Sequence, residues 1–287
     1  MVNAATEQHP FRRHAGRRPT ATGESMQRLE GWVAIVTGAS RGIGAGIARA
    51  FAAEGAAVAL VARTRKASSA SEPGTLEEVA ASIEAGGGRA HIIVADLLDP
   101  PAPKRIVAEA EAALGPCDIL VNNALISTMD PLETLDPQAL RDMFEGQVVA
   151  PLALSQLVLP GMRERGRGWI INLTSKGSRL PPGPPFSWGI RGGTSGYGAV
   201  KAAVERMTVG LAGETHGSGI AVNALGPSRI VRTPGVMKGD WGNVGAENYE
   251  DPATIAEAAV LLASCDPETF TGRIVWSEEL PPEFTGR

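Results

Sequence analysis

From Gly31 onward, short apolar runs rich in β-branched residues alternate with stretches whose apolar residues recur every three or four positions. The first run, "WVAIVTG", leads straight into "GIGAGIARAFAAEG". There Ile43, Ile47 and Phe51 fall at i, i+4 and i+8, and Gly55 offers a C-terminal stop. "AAVALVAR", "HIIVADL", "CDILVNNA", "WIINLTS", "IAVNALGP" and a short "RIVWS" read as further strands. Between them, "TLEEVAASIEAGG", "PKRIVAEAEAALG", a long zone over 137–165, and the segments 197–216 and 253–264 read as helices. Strands that are apolar almost throughout are buried on both faces, and helices alternating with them imply a parallel sheet. Right-handed crossovers then give a doubly wound arrangement. The expected fold is therefore α/β, a single-domain, doubly wound parallel sheet of Rossmann type with helices on both faces. Residues 29–287 form that domain, with no internal linker and no sequence repeat.

Residues 1–28 stand apart. "FRRHAGRRPTATGES" is Arg-rich, poor in apolar residues and without period, so this leader is expected to be disordered. Two Arg pairs there suggest an export signal, but no hydrophobic stretch follows them, and that reading is set aside. The apolar run "VVAPLALSQLVLP" is too short to span a bilayer, and it holds a proline and two polar residues. A net charge of −4 gives no general attraction to nucleic acid or anionic membrane. His9, His14, His91 and His216 do not cluster, and Cys117 and Cys265 lack metal or redox spacing. The expectation is a cytoplasmic protein without a metal centre.

The first chemical signal is the loop after the first strand, "TGASRGIG". Gly38, Gly42 and Gly44 are spaced G-x-x-x-G-x-G, and a helix follows at once. Such glycines bring backbone N–H groups and a helix N-terminus against a pyrophosphate. Read alone, the loop is equally an ordinary strand–helix turn; its place in the first βαβ unit favours a dinucleotide. Gly38, Ser40, Arg41, Gly42, Ile43 and Gly44 are the candidate cofactor contacts. An acid ending the second strand would bind the ribose 2′-hydroxyl of NAD, but this strand ends "LVARTR". Arg63, with Arg41 in the glycine loop, suits a 2′-phosphate, because a guanidinium binds phosphate through paired charged hydrogen bonds. NADP(H) is favoured over NAD(H); the alternative for each arginine is a solvated surface charge.

The second signal is "TSGYGAVKAA", with Tyr197 and Lys201 four residues apart in a chain of two tyrosines and five lysines. On a helix the pair shares one face. So short a pattern also arises by chance and needs context.

Together these stretches resemble the short-chain dehydrogenase/reductase family, in the branch with a "TGxxxGIG" loop. The ordered matches are "TGASRGIG" at 37–44, "AD" at 95–96, "NNA" at 122–124, Ser175, "YGAVK" at 197–201 and "VNALGPS" at 222–228. The resemblance implies that Asp96 and Leu97 hold the adenine end of the cofactor and that Asn123 lies beside the ribose. It places Ile230 and Thr233 at the nicotinamide carboxamide. Tyr197 would exchange the proton as hydride moves between nicotinamide and substrate. Lys201 would lower the phenol pKa and bind the nicotinamide ribose, and Ser175 would bond the substrate oxygen. The partner is then a small carbonyl or alcohol, with a homodimer or homotetramer as the expected assembly.

The chain also departs from the family pattern. Leu125 replaces a small residue after "NNA", Ser228 replaces the glycine after Pro227, and the acidic-glycine ending is missing. The catalytic asparagine of the family falls at Gln147. The resemblance implies that the backbone carbonyl at this position holds a proton-relaying water. Pro151, four residues on, has no N–H for the Gln147 carbonyl, so the helix should break there and free it, the alternative being a neutral Gln147 and a proline that kinks the helix for packing. The loop between Ser175 and Tyr197 carries four prolines, Phe186 and Trp188, which suit a lid over a lipophilic substrate, a surface loop or a subunit contact. Two function classes follow. One is an NADP(H)-dependent oxidoreductase using Ser175, Tyr197, Lys201 and Gln147. The other is a catalytically weak dinucleotide-binding protein with a regulatory or assembly role.

Overall fold

In a computed structural model, residues 27–66, 74–179, 183, 194–233 and 245–280 are described. Strand β1 (Val33–Thr37) is followed by α1 (Gly42–Ala53), β2 (Ala57–Ala62), α2 (Leu76–Ala85), β3 (Arg89–Val94), α3 (Ala102–Leu114) and β4 (Ile119–Asn122). Helix α4 (Pro137–Phe144) runs through a π-helical segment (Glu145–Val149) into α5 (Ala150–Arg165). Then come β5 (Gly168–Leu173), a 3-10 turn (Lys176–Ser178), α6 (Thr194–Thr215), β6 (Ile220–Gly226), β7 (Ile230–Val231), a 3-10 turn (Ala246–Asn248) and β8 (Tyr249–Glu250). Helix α7 (Pro252–Ala263) and β9 (Ile274–Trp276) complete the order.

Seven strands form one sheet in the order β3-β2-β1-β4-β5-β6-β9, and every pairing in it is parallel. The chain reverses its winding between β1 and β4, which places the topological switch point at their carboxyl ends. Alternate strand residues feed two cores. On one face Val36, Val58 and Ile171 pack with Ile47, Phe51, Val79, Ile255 and Leu262 of α1, α2 and α7. On the other, Ile35, Leu120 and Ile170 pack with Ile106, Leu154, Val158 and Leu211 of α3, α5 and α6. Phe51 is fully buried, worth about 2–3 kcal/mol of transfer free energy.

Local signals set the helix ends. Thr75 caps α2 by accepting from the Glu78 N–H at 3.1 Å. Asp136 and Asp251 cap α4 and α7, each followed by proline at the first helical position. Gly166, in the left-handed region at φ 59°, ends α5.

Two boundaries differ from the sequence reading. Arg28, assigned to the disordered leader, is anchored by Glu54 at 2.6 Å and Glu257 at 2.7 Å, and Leu29 behind it is fully buried. The third strand stops at Val94, because Asp96 turns inward on itself: its Oδ1 accepts the Leu98 N–H at 3.0 Å. Residues 1–26, Phe186 and Trp188 lie outside the described residues. The parallel pair β7–β8 was not foreseen, since two-residue strands carry no period.

Candidate active site

The glycine loop lies where β1 meets β4. Gly38 has φ 68°, and a Cβ on Gly44 would meet Asn123 Nδ2 at 2.3 Å and the Gly38 carbonyl at 2.4 Å. Only glycine admits that approach. The Asn123 amide closes the corner by donating to the Thr37 carbonyl at 2.8 Å and the Gly38 carbonyl at 3.3 Å, while its backbone N–H donates to Thr37 Oγ1 at 3.0 Å. Asn123, expected beside a ribose, thus also braces the loop.

The start of α1 is open to an anion. Its capping position, Arg41, supplies no side-chain hydrogen bond, and its first turn carries no acid. Uncapped N–H groups with a helix dipole behind them favour a phosphate. Arg41 Nη2 lies 3.4 Å from Thr64 Oγ1, at the end of β2. The Arg63 side chain is 66% exposed and stands 3.8 Å from Asp96. Ser40 and Leu97 are buried, and Ile43 is partly so. Across the cleft, Ile230 lies on β7, and Thr233 returns to the loop: a Cβ on Gly42 would sit 3.2 Å from Thr233 Cγ2. The candidate dinucleotide contacts therefore lie along the carboxyl edge of the sheet, around the glycine corner at the end of β1.

The second cluster lies at the end of β5. Ser175 opens the 3-10 turn, its Oγ accepting the Gly177 N–H at 3.1 Å, and it is near enough to the Tyr197 phenol to favour the charged form of that group. Close packing of two glycines allows this. A Cβ on Gly198 would meet the Gly177 carbonyl at 2.7 Å, and one on Gly177 would press the Tyr197 ring at 3.1 Å. Lys201 is 5% exposed and donates to the Leu173 carbonyl at 2.9 Å. A chain of buried amides seats α6 on the sheet: Asn122 Nδ2 donates to Asn172 Oδ1 at 2.8 Å, and Asn172 Nδ2 to Thr208 Oγ1 at 2.9 Å.

The electrostatics correct one expectation. Burial pushes the Tyr197 phenol above its ordinary pKa, with the Ser175 bond acting in the opposite direction. The lysine does not pull it below that value. Burial instead lowers Lys201 to about 8, with Glu205 as the opposing charge.

Gln147 lies in the π-helical segment, where the helix departs from α geometry as anticipated near Pro151. It is 4% exposed, and its Nε2 donates to the Ile126 carbonyl at 2.6 Å, while its buried Oε1 has no hydrogen-bond partner among the described residues. Gly146 is needed beside it, since a Cβ there would meet Ile126 Cδ1 at 2.4 Å. Leu125, expected to narrow the site, is 54% exposed.

Two carboxylates escaped the sequence reading. Glu205 accepts from Thr174 Oγ1 at 2.9 Å and from Ser178 Oγ at 2.6 Å. The i+4 step from Lys201 would have pointed to it. Buried Glu250 accepts the backbone N–H groups of Ser228 at 2.9 Å and Arg229 at 3.0 Å, along with the Ser277 hydroxyl. It thereby holds the segment that carries Ile230, a role no sequence spacing announces.

A sequence profile described as short chain dehydrogenase matches residues 32–240. A short chain dehydrogenase of Pseudocercospora fijiensis is 37% identical over 215 residues, covering 74% of this chain and 64% of the relative's own length. Galactitol 2-dehydrogenase (L-tagatose-forming) of Cereibacter sphaeroides is 36% identical, covering 86% of this chain and 94% of its own. Among solved structures, a candidate NAD(P)-dependent gluconate 5-dehydrogenase from Beutenbergia cavernae, holding NADP at low occupancy, superposes with a TM-score of 0.74. It is 31% identical and the match covers 88% of this chain and 97% of that one. The chain belongs to the short-chain dehydrogenase/reductase family.

Proposed function

We propose that the protein is an NADP(H)-dependent oxidoreductase that interconverts a carbonyl and a secondary alcohol. The observation that carries this reading is the grouping of Ser175, the Tyr197 phenol on which it acts, and Lys201, one helical turn on and buried against β5. The nicotinamide, when bound, supplies or accepts the hydride. The chain does the rest. Ser175 bonds the substrate oxygen and stabilises charge as it develops there. Tyr197 gives its phenolic proton to that oxygen in reduction and takes it back in oxidation. Lys201 bonds the ribose and compensates the negative charge left on the phenol. The Gln147 carbonyl is the relay point for the proton that restores it.

Residues around the loop support the cofactor assignment. The uncapped start of α1 with Gly38, Ser40, Gly42, Ile43 and Gly44 would hold the pyrophosphate, and Arg41 and Arg63 the 2′-phosphate. Asp96 and Leu97 would flank the adenine, Asn123 the ribose, and Ile230 and Thr233 the carboxamide. The NADP in the Beutenbergia structure favours the same choice. Free, buried Cys117 and Cys265 fit a reducing cytoplasm. Exposed Val149, Leu152 and Val209 on the π segment, α5 and α6 fit a homodimer or homotetramer.

Two substrate classes compete. Phe186 and Trp188 suggest a lipophilic ketone or alcohol, whereas the name of the galactitol relative points to polyols and their keto forms. The test is a fluorescence titration with NADPH and NADH, then a carbonyl panel with NADPH that contains both classes. Turnover of any member that vanishes in Tyr197→Phe supports the reading. NADPH binding without turnover on either class would favour the regulatory alternative instead.

A further inference from the structure

Three consecutive residues at the end of β5 are each met by one of three α6 residues spaced four apart. Ser175 acts on the Tyr197 phenol. The Leu173 carbonyl accepts from Lys201 Nζ at 2.9 Å. Between them, Thr174 Oγ1 donates to Glu205 Oε1 at 2.9 Å. The same Glu205 oxygen accepts the Ser178 hydroxyl at 2.6 Å. One carboxylate oxygen therefore ties the residue just before Ser175 to the last residue of the 3-10 turn just after it. Tyr197, Lys201 and Glu205 stack along one helix face, as the i, i+4, i+8 spacing requires.

An ordinary i,i+4 pair on a solvated helix face contributes a few tenths of a kcal/mol and carries no function. This one differs because Lys201 is buried and its charge is costly there. The titratable groups on the elements packed against α6 are few. Besides Tyr197, Glu205, Arg206 and Glu214 on the helix itself, they are Lys176 on the 3-10 turn, Glu145 on the π segment, and Arg141 and Asp142 on α4; β5 and β6 have none. Of these, the Glu205 carboxylate favours the charged form of Lys201, opposing the effect of burial.

We propose that Glu205 is a positioning residue of the active site, which grips both flanks of Ser175 and sets a negative charge one helical turn from the Lys201 ammonium. The family motif Tyr-x-x-x-Lys becomes, in this chain, a functional Tyr-x-x-x-Lys-x-x-x-Glu. The inference rests on the reading of Ser175, Tyr197 and Lys201 as the groups that act on substrate.

The two roles separate by substitution. Glu205→Gln keeps an amide oxygen for Thr174 and Ser178 but removes the charge. Glu205→Ala removes both. The first readout needs neither cofactor nor substrate: the pH titration of the Lys201 resonance in protein labelled with lysine-13Cε, which is tractable with five lysines and assigned through Lys201→Met. Glu205→Gln is expected to lower the Lys201 midpoint by ~0.5–1 pH unit. In turnover, the Glu205→Gln to parent ratio of kcat/KM should then fall about two- to fivefold from pH 6 to pH 8. Glu205→Ala should lose about tenfold or more of kcat already at pH 6, where Lys201 is fully charged, because Ser175 is no longer held. A Lys201 midpoint unmoved in Glu205→Gln overturns the electrostatic role. A kcat for Glu205→Ala at pH 6 equal to that of the parent overturns the positioning role. A parent that reduces no carbonyl defeats the proposed function instead, and the resonance titration still decides the link between Glu205 and Lys201.

Discussion

Lys201 Nζ lies 5.8 Å from the centroid of the Tyr197 ring, so the ammonium borders the phenol without bonding it. Its hydrogen bond goes to the Leu173 carbonyl instead. Burial raises the phenol pKa and lowers that of the lysine to about 8, so at pH 7 both groups still carry their protons. That is the protonation state a carbonyl reduction starts from: a neutral phenol to donate and an ammonium to receive the resulting negative charge.

Tyr197→Phe removes the transferable proton and leaves the ring that packs on Gly177. Turnover should fall by about 10²-fold or more, the contribution expected of a general acid. NADPH affinity, measured by fluorescence titration, should stay within a few-fold. Substantial turnover in the variant would show that another group supplies the proton.

The pH dependence follows from the sign of each shift. Lys201 is charged below about 8 and loses its proton above it. Reduction, measured as kcat/KM for NADPH, should be level from pH 6 to 7.5 and decline above about 8. Alcohol oxidation needs the phenolate. With the phenol pKa raised, its rate should climb with pH until loss of the Lys201 charge cuts it off. A reduction profile that rises between pH 7 and 9 would contradict the assignment of Lys201.

The same lysine should weaken the fold. Its depressed pKa means that the unfolded chain binds the proton more tightly than the folded one between pH 8 and 10.5, so stability rises with pH across that window. Below pH 8 the full penalty applies, about 3 kcal/mol, offset by roughly 1 kcal/mol from the bond to Leu173. Lys201→Met should therefore be inactive yet more stable at pH 7, with Tm higher by a few degrees. The gain should shrink as the pH approaches 10. A lower Tm at pH 7 would mean that the Leu173 bond outweighs desolvation.

NADPH should bind at least tenfold more tightly than NADH, about 1.4 kcal/mol. Changing both Arg41 and Arg63 to alanine should remove that preference and leave NADH nearly untouched. Arg63 is the freer of the two, since its neighbour Asp96 stands 3.8 Å away and its side chain is two-thirds exposed. Equal affinities in the parent would disprove the 2′-phosphate assignment.

Much of this arrangement was legible in the chain, for a physical reason. Strands buried on both faces write their burial as unbroken apolar runs, and the amphipathic helices write theirs as period, so sheet and layers could be read directly. Gly38, Gly44, Tyr197 and Lys201 were legible because each solves a local problem at fixed spacing. Glu205 and Glu250 were not, because their partners lie far off in sequence: Glu205 meets Thr174 31 residues away, and Glu250 meets Ser277 27 residues away. Charged residues in that position look like solvated surface until the fold is closed around them. The direction of the Tyr197 shift was also hidden. Proximity of a lysine predicts lowering, whereas the depth of burial, which only the packed helix sets, predicts raising.

Gln147 tests how much of the relay belongs to the backbone. The residue sits in the π segment, where the Ala150 N–H reaches back to the Glu145 carbonyl. The α-helical donor for the Gln147 carbonyl would be residue 151, and proline has no N–H to give. The side-chain amide is occupied elsewhere, donating to the Ile126 carbonyl at 2.6 Å in the segment that follows β4. The carbonyl thus lacks its α-helical donor, and on the proposed reading it holds a water on the way to Lys201 while the amide pins the chain beside it. Three variants separate these tasks. Gln147→Asn should keep turnover within a few-fold, because the backbone is unchanged. Gln147→Leu should cost about 1–2 kcal/mol in stability, because it leaves the Ile126 carbonyl unpaired. Pro151→Ala returns an N–H to position 151 and lets the segment relax toward an ordinary α-helix. It should therefore slow turnover by about tenfold or more while the fold holds or gains stability, a combination that a purely structural proline would not produce. Full activity in Pro151→Ala, with the π segment closed in its crystal structure, would take the Gln147 carbonyl out of the relay.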